Sequence, residues 1–217
     1  MASRGDRTRE HLLDVAEALF GAEGVANVSL RQIRLAAGQG NEAAVQYHFG
    51  DRDGIIRALS ERHTPRVEEI RDRIMDGSGR RPSQRTLVEA FVRPLAEYGT
   101  RGPSERSWSK MLPDLLVSPR LSLETIQEHS SAAAAQVGIT LYGRLSTKMP
   151  EQIAGERLWA VTQFVVHVVA DRARLVDDPQ PARPISPDDQ FIDNLVEMAY
   201  GALTARHAST PRVERGG

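Results

Sequence analysis

Apolar residues recur along this chain at helical spacing from one end to the other. Leu12, Val15, Ala16, Leu19 and Phe20 fall at i, i+3, i+4, i+7 and i+8, one stripe of an amphipathic helix. Gly24 is placed to end that helix in the left-handed conformation, with Val25 behind it as the hydrophobic contact. Ser29-Leu30-Arg31-Gln32 then reads as a capping box, in which the Ser29 hydroxyl accepts from the Gln32 amide and the Gln32 side chain reaches back. Val28 and Ile33 occupy the two positions of a hydrophobic staple. This second helix runs to about Ala37 and stops at Gly38. Asn41 is a good N-cap for a third short helix through His48, and Gly50 closes it. Asp51 caps a longer fourth helix carrying Ile55, Ile56, Leu59, Val67, Ile70 and Ile74, which Pro65 is expected to kink or interrupt.

A polar connection, 77–84, follows. Leu87, Ala90, Phe91, Pro94, Leu95 and Tyr98 mark the next helix face, and further helices are predicted at about 104–118, 122–147, 151–176 and 187–206. The turn-rich run 177–184 separates the last two, and 208–217 reads as a disordered tail. No strand period and no internal repeat stands out. The predicted fold is all-α: a three-helix N-terminal domain over 1–56, with a helix-turn-helix at about 29–48, then a larger helical domain over 57–207.

Composition narrows the class. The chain has 217 residues, 40% apolar and 26% charged, as in ordinary globular proteins. No apolar run reaches transmembrane length, and the charged N-terminus does not resemble a secretory signal. Without cysteine there is neither a disulfide framework nor a thiolate metal site, which favours a cytoplasmic setting. Net charge is −1, and residues 1–64 carry eight arginines against nine carboxylates. DNA binding must therefore rest on where the charges sit. Among the six histidines there is no H-E-x-x-H spacing, and neither a G-x-S-x-G elbow nor a phosphate loop occurs, so no enzyme, metal or cofactor is expected.

Two short helices joined by a tight glycine-containing turn, packed on a first amphipathic helix, describe a helix-turn-helix, a shape that fits a helix into the major groove. Residues 9–59 resemble the tetracycline-repressor (TetR) family: Ala18-Leu19-Phe20 before Gly24, then Ser29-Leu30-Arg31-Gln32-Ile33, Ala36-Ala37-Gly38 and Tyr47-His48-Phe49-Gly50-Asp51-Arg52. The resemblance implies a ligand-released repressor that binds a pseudo-palindromic operator as a homodimer, with a small hydrophobic or aromatic effector in the larger domain. It makes 41–48 the recognition helix, with Asn41 at its start and Ala44, Gln46 and Tyr47 facing DNA. His48 touches phosphate at the domain edge, Arg52 anchors phosphate, Ser29 and Arg31 hold the backbone, and Arg4, Arg7 and Arg9 form a flexible arm. The sequence departs from the family in a longer turn at Gln39-Gly40-Asn41, in Arg34, and in Glu42 near the recognition helix.

For the effector pocket the candidates are Phe91, Tyr98, Trp108, Met111, His129, Tyr142, Phe164 and His167. Against each stands plain core packing, and His167, inside an apolar run, reads slightly better as a satisfied core histidine. The resemblance also implies that the last two helices pair with their two-fold mates in a four-helix bundle, and here they have the apolar surplus such an interface requires. Two readings compete with the regulator: a helical protein-interaction module of the same fold without DNA binding, and an enzyme.

Overall fold

In the computed structural model residues 3–41, 43–79, 81–116 and 131–207 are described, and every regular element among them is helical. The N-terminal end comprises α1 (Arg4–Glu23), a 3-10 turn (Val25–Asn27), α2 (Leu30–Ala36) and α3 (Ala44–Phe49). Next come α4 (Arg52–Asp76), α5 (Gln84–Gly99) and α6 (Pro103–Leu116). The body is completed by α7 (Ala132–Ser146), α8 (Glu151–Asp177) and α9 (Asp188–Thr204).

The first stripe folds as its spacing predicts: Leu12, Ala16 and Phe20 are fully buried, joined by Leu13. Burial of such side chains stabilises by about 1.5–3 kcal/mol each. The helix starts earlier than a flexible arm would allow. Ser3 and Asp6 form a capping box, which puts Arg4, Arg7 and Arg9 on the first turns of α1. Arg9 stacks its guanidinium over the Phe49 ring at 5.1 Å. Gly24 has a positive φ of 87°, but its ψ of 148° is extended, so the chain leaves α1 into the 3-10 turn without a left-handed cap.

The hydrophobic staple is built, with Val28 and Ile33 both fully buried. α4 runs through Pro65 without the expected interruption. The proline is on the exposed side, where the carbonyl it frees can turn to solvent. Of the expected helix over 122–147, the described part is α7 from Ala132, capped where Ser131 is extended and its hydroxyl accepts from the Ala134 amide at 3.0 Å. The segment 117–130 and the expected tail 208–217 lie outside the described residues.

Two cores result. One gathers the inner faces of α1 to α4 with Tyr98, Trp108 and Met111 from α5 and α6. The other joins α5, α7, α8 and α9 around Leu87, Val137, Leu141 and Leu195. α6 packs along both α1 and α8, so it connects the N-terminal helices to the body.

Candidate nucleic-acid interface

The short helices are held by local chemistry first. Ser29 donates its hydroxyl to Gln32 Oε1 at 2.7 Å and accepts from the Gln32 amide at 3.2 Å, while the Ser29 amide donates to the same Oε1 at 2.8 Å. The turn after α2 is clasped twice. Arg34 Nη1 donates to the Gln39 carbonyl at 2.9 Å, and the Gln39 amide donates to the Arg34 carbonyl at 3.0 Å. Arg34 is thereby a fastener of the longer turn. Asn41 caps that turn and not the helix: its Oδ1 accepts from the Ala43 amide at 3.0 Å, and α3 begins at Ala44.

α3 points two side chains at solvent. Gln46 is exposed, and Tyr47 is 84% exposed although Val45 beside it is buried. Ala44, expected to face DNA, is only 6% exposed and belongs to the core, because the start of α3 rests on it. His48 is half-buried, its ring edge-on to Tyr47 at 5.0 Å. Arg52 is drawn inward as well. Its Nη2 donates to the Val28 carbonyl at 2.8 Å, tying the start of α4 to the residue preceding the α2 cap. Ser29 and Arg31 are exposed at the start of α2. Leu35, which the sequence reading passed over, is 56% exposed on the same short helix.

Behind this surface a polar network fixes α1 to α4, α5 and α6. Arg62 reaches Glu10 and Asp14 at 2.7 Å and Glu17 at 3.0 Å, three carboxylates one helical turn apart along α1. Glu17 Oε1 accepts from the Ser104 hydroxyl at 2.6 Å and lies 3.2 Å from His63 Nε2, a contact too bent for a good hydrogen bond. Burial pushes the Glu17 carboxyl up, but His63, Ser104 and Arg62 outweigh it and hold the group below its usual range. His63 Nδ1 is 2.7 Å from the Tyr98 hydroxyl, and its ring stacks on Trp108 at 5.1 Å. Burial, with Glu105 nearby, pushes the Tyr98 phenol up to about 12. A further link had no signal in the sequence: Asp114 on α6 accepts from the Val25 amide at 2.9 Å.

The pocket candidates are not brought together. Tyr98, Trp108 and Met111 are buried around His63 in the first core. Phe91, Tyr142 and Phe164 flank the second. His167 is exposed and not a core histidine, its Nδ1 2.8 Å from the Gln163 carbonyl. His129 lies outside the described residues.

The described residues thus form a helix-turn-helix unit, with α3 presenting Gln46 and Tyr47 to solvent, seated on a larger helical body. Residues 12–59 match the family described as bacterial regulatory proteins, tetR family. The match covers the helix-turn-helix end of the chain and leaves the larger helical body outside it. The same region is 36% identical over 63 residues to the HTH-type transcriptional regulator AcrR of Shigella flexneri, a match spanning 29% of each chain. In fold the likeness extends further. NalD, the secondary repressor of the MexAB-OprM multidrug efflux pump in Pseudomonas aeruginosa, aligns over 90% of this chain and 96% of its own, with a TM-score of 0.54 at 21% identity. The fatty acid degradation regulator FadR from Bacillus halodurans aligns over 95% of this chain and all of its own, with a TM-score of 0.52 at 10% identity.

Proposed function

We propose that the protein is a homodimeric repressor that binds a pseudo-palindromic operator in the cytoplasm and is released by a small-molecule effector. The observation that carries the DNA reading is the outward pair Gln46 and Tyr47 on a helix whose other face is sealed by Ala44 and Val45. The Gln46 amide suits the N6/N7 edge of adenine, and Tyr47 suits a phosphate or a thymine methyl. Arg31 and Ser29 are placed to hold phosphate, while Arg52 and Asn41 position the two short helices. The similar proteins are a transcriptional regulator, a repressor and a fatty acid degradation regulator, which accords with this reading.

The dimer reading is supported by apolar surface left on the last two helices. Trp159 on α8 is 39% exposed and Met198 on α9 is 48% exposed. Gly201 and Ala202 beside Met198 are exposed and small enough for close approach. Two-fold pairing would set the recognition helices about 34–36 Å apart.

Gel-shift and anisotropy titrations with palindromic promoter DNA test the proposal. Gln46→Ala and Tyr47→Ala should each weaken binding by about 1–3 kcal/mol, and affinity should fall steeply with salt. Wild-type affinity in both variants would remove α3 from the interface. No salt-dependent affinity at all would favour the interaction-module reading.

A further inference from the structure

Between α4, α5 and α7 lies an open cleft of about 290 Å³. Its apolar lining comes from Met75, Leu87 and Val137, one from each helix, and Thr140 stands at its polar edge. The other side is cationic, with Arg81 from the α4–α5 connection and Arg144 from α7. Arg144 is half-buried and spends one N–H of its Nη2 on the Pro82 carbonyl at 2.7 Å, which fixes the guanidinium at the rim. None of the described residues lining the cleft is acidic.

The α5 helix begins beside it, at the Ser83 cap, and carries no carboxylate in its first turn. The positive end of a helix usually attracts such a group. Here that end, Arg81 and Arg144 gather positive charge next to apolar surface, with no acidic partner among the described residues. Elsewhere the body pairs its arginines readily: Arg85 with Glu197, Arg93 with Glu89 and Asp193, and Arg172 with Asp188. A mostly apolar lining with a few fixed polar groups on one side is the pattern of a small-ligand site, and the volume is at the small end of the usual range, about 300–1,000 Å³.

We propose that this cleft binds an amphipathic monoanion, its carboxylate on Arg81 and Arg144 and its apolar body over Met75, Leu87 and Val137. The assignment gives a place and a chemical class to the effector of the regulator reading, and it rests on that reading only for its consequence at DNA. Because α4 contributes to the cleft and also carries Arg52, Arg62 and His63, an occupant would touch the helix that holds the DNA-binding end.

The test is calorimetric titration of the full chain with octanoate, 1-octanol and octylamine. Octanoate should bind at least about tenfold more tightly than the other two, as expected for a charge-assisted contact to guanidinium. Arg81→Gln, at an exposed position, should weaken octanoate about tenfold without changing 1-octanol. Thr140→Trp, which fills the polar edge, should abolish octanoate binding while leaving the circular dichroism of the fold unchanged. Equal binding of the three compounds, or no octanoate binding up to about 1 mM, overturns the site. Operator affinity is measured in parallel. If octanoate binds selectively but does not weaken operator binding, the site stands and ligand release fails. If octanoate does not bind while operator affinity is intact, the site fails and the DNA reading stands.

Discussion

Glu17 and Gly54 show how much of the N-terminal helical end depends on single positions. Glu17 is almost fully buried yet ionised, because Arg62, Ser104 and His63 surround its oxygens. A carboxyl held below its ordinary value of 4.5 contributes stability that is present above that value and lost as pH falls through the lower, folded one. Denaturant midpoints should therefore drop as pH falls below the ordinary value of 4.5 in the wild type, and Glu17→Gln should flatten that drop while lowering stability at neutral pH. A wild-type slope retained in Glu17→Gln would place the acid sensitivity elsewhere. At Gly54 a β-carbon would overlap the Phe49 carbonyl oxygen across the tight α3–α4 connection. Gly54→Ala is thus expected to cost more than about 2 kcal/mol, whereas an ordinary Gly→Ala change inside a helix stabilises. Thermal unfolding of the two proteins decides between those signs.

The link between α1 and α4 is concentrated in Arg62. Arg62→Ala leaves three carboxylates along α1 without their shared partner, and should destabilise by about 1–3 kcal/mol after allowing for partial solvent access. Hydrogen exchange should show the loss first in α1. These elements were legible to different degrees, for physical reasons. The Ser29–Gln32 box and the Asp51 cap are interactions within four residues, so the sequence contains all the chemistry they need. Asn41 is a residue type that suits caps and turns alike, and only the conformation of the longer turn chooses between them. The side facing outward on α3 was half legible: Gln46 and Tyr47 point to solvent, but Ala44 turned inward because a six-residue helix must bury its start somewhere. The pocket was the least legible. Aromatic residues at helical spacing became core around His63, while the cleft is made by Met75, Arg81, Leu87 and Arg144, which lie on separate helices and a loop and share no local pattern.

For the whole molecule, oligomeric state is the first measurable property. Met198→Glu places a charge on the apolar surface of α9 and should shift the protein toward monomer in sedimentation, with a matching fall in operator affinity. An unchanged dimer would move the interface away from this face. The Asp114–Val25 hydrogen bond has a different kind of consequence, one for transplantation. Together with Tyr98, Trp108 and Met111 it means that residues from α5 and α6 complete the packing of the first sixty. Cut out alone, that segment would expose the apolar face of α1 and leave the Val25 amide without its acceptor. A chimera that grafts these sixty residues onto another helical body should fold only if the donor α6 travels with them, or if the new body supplies an equivalent helix.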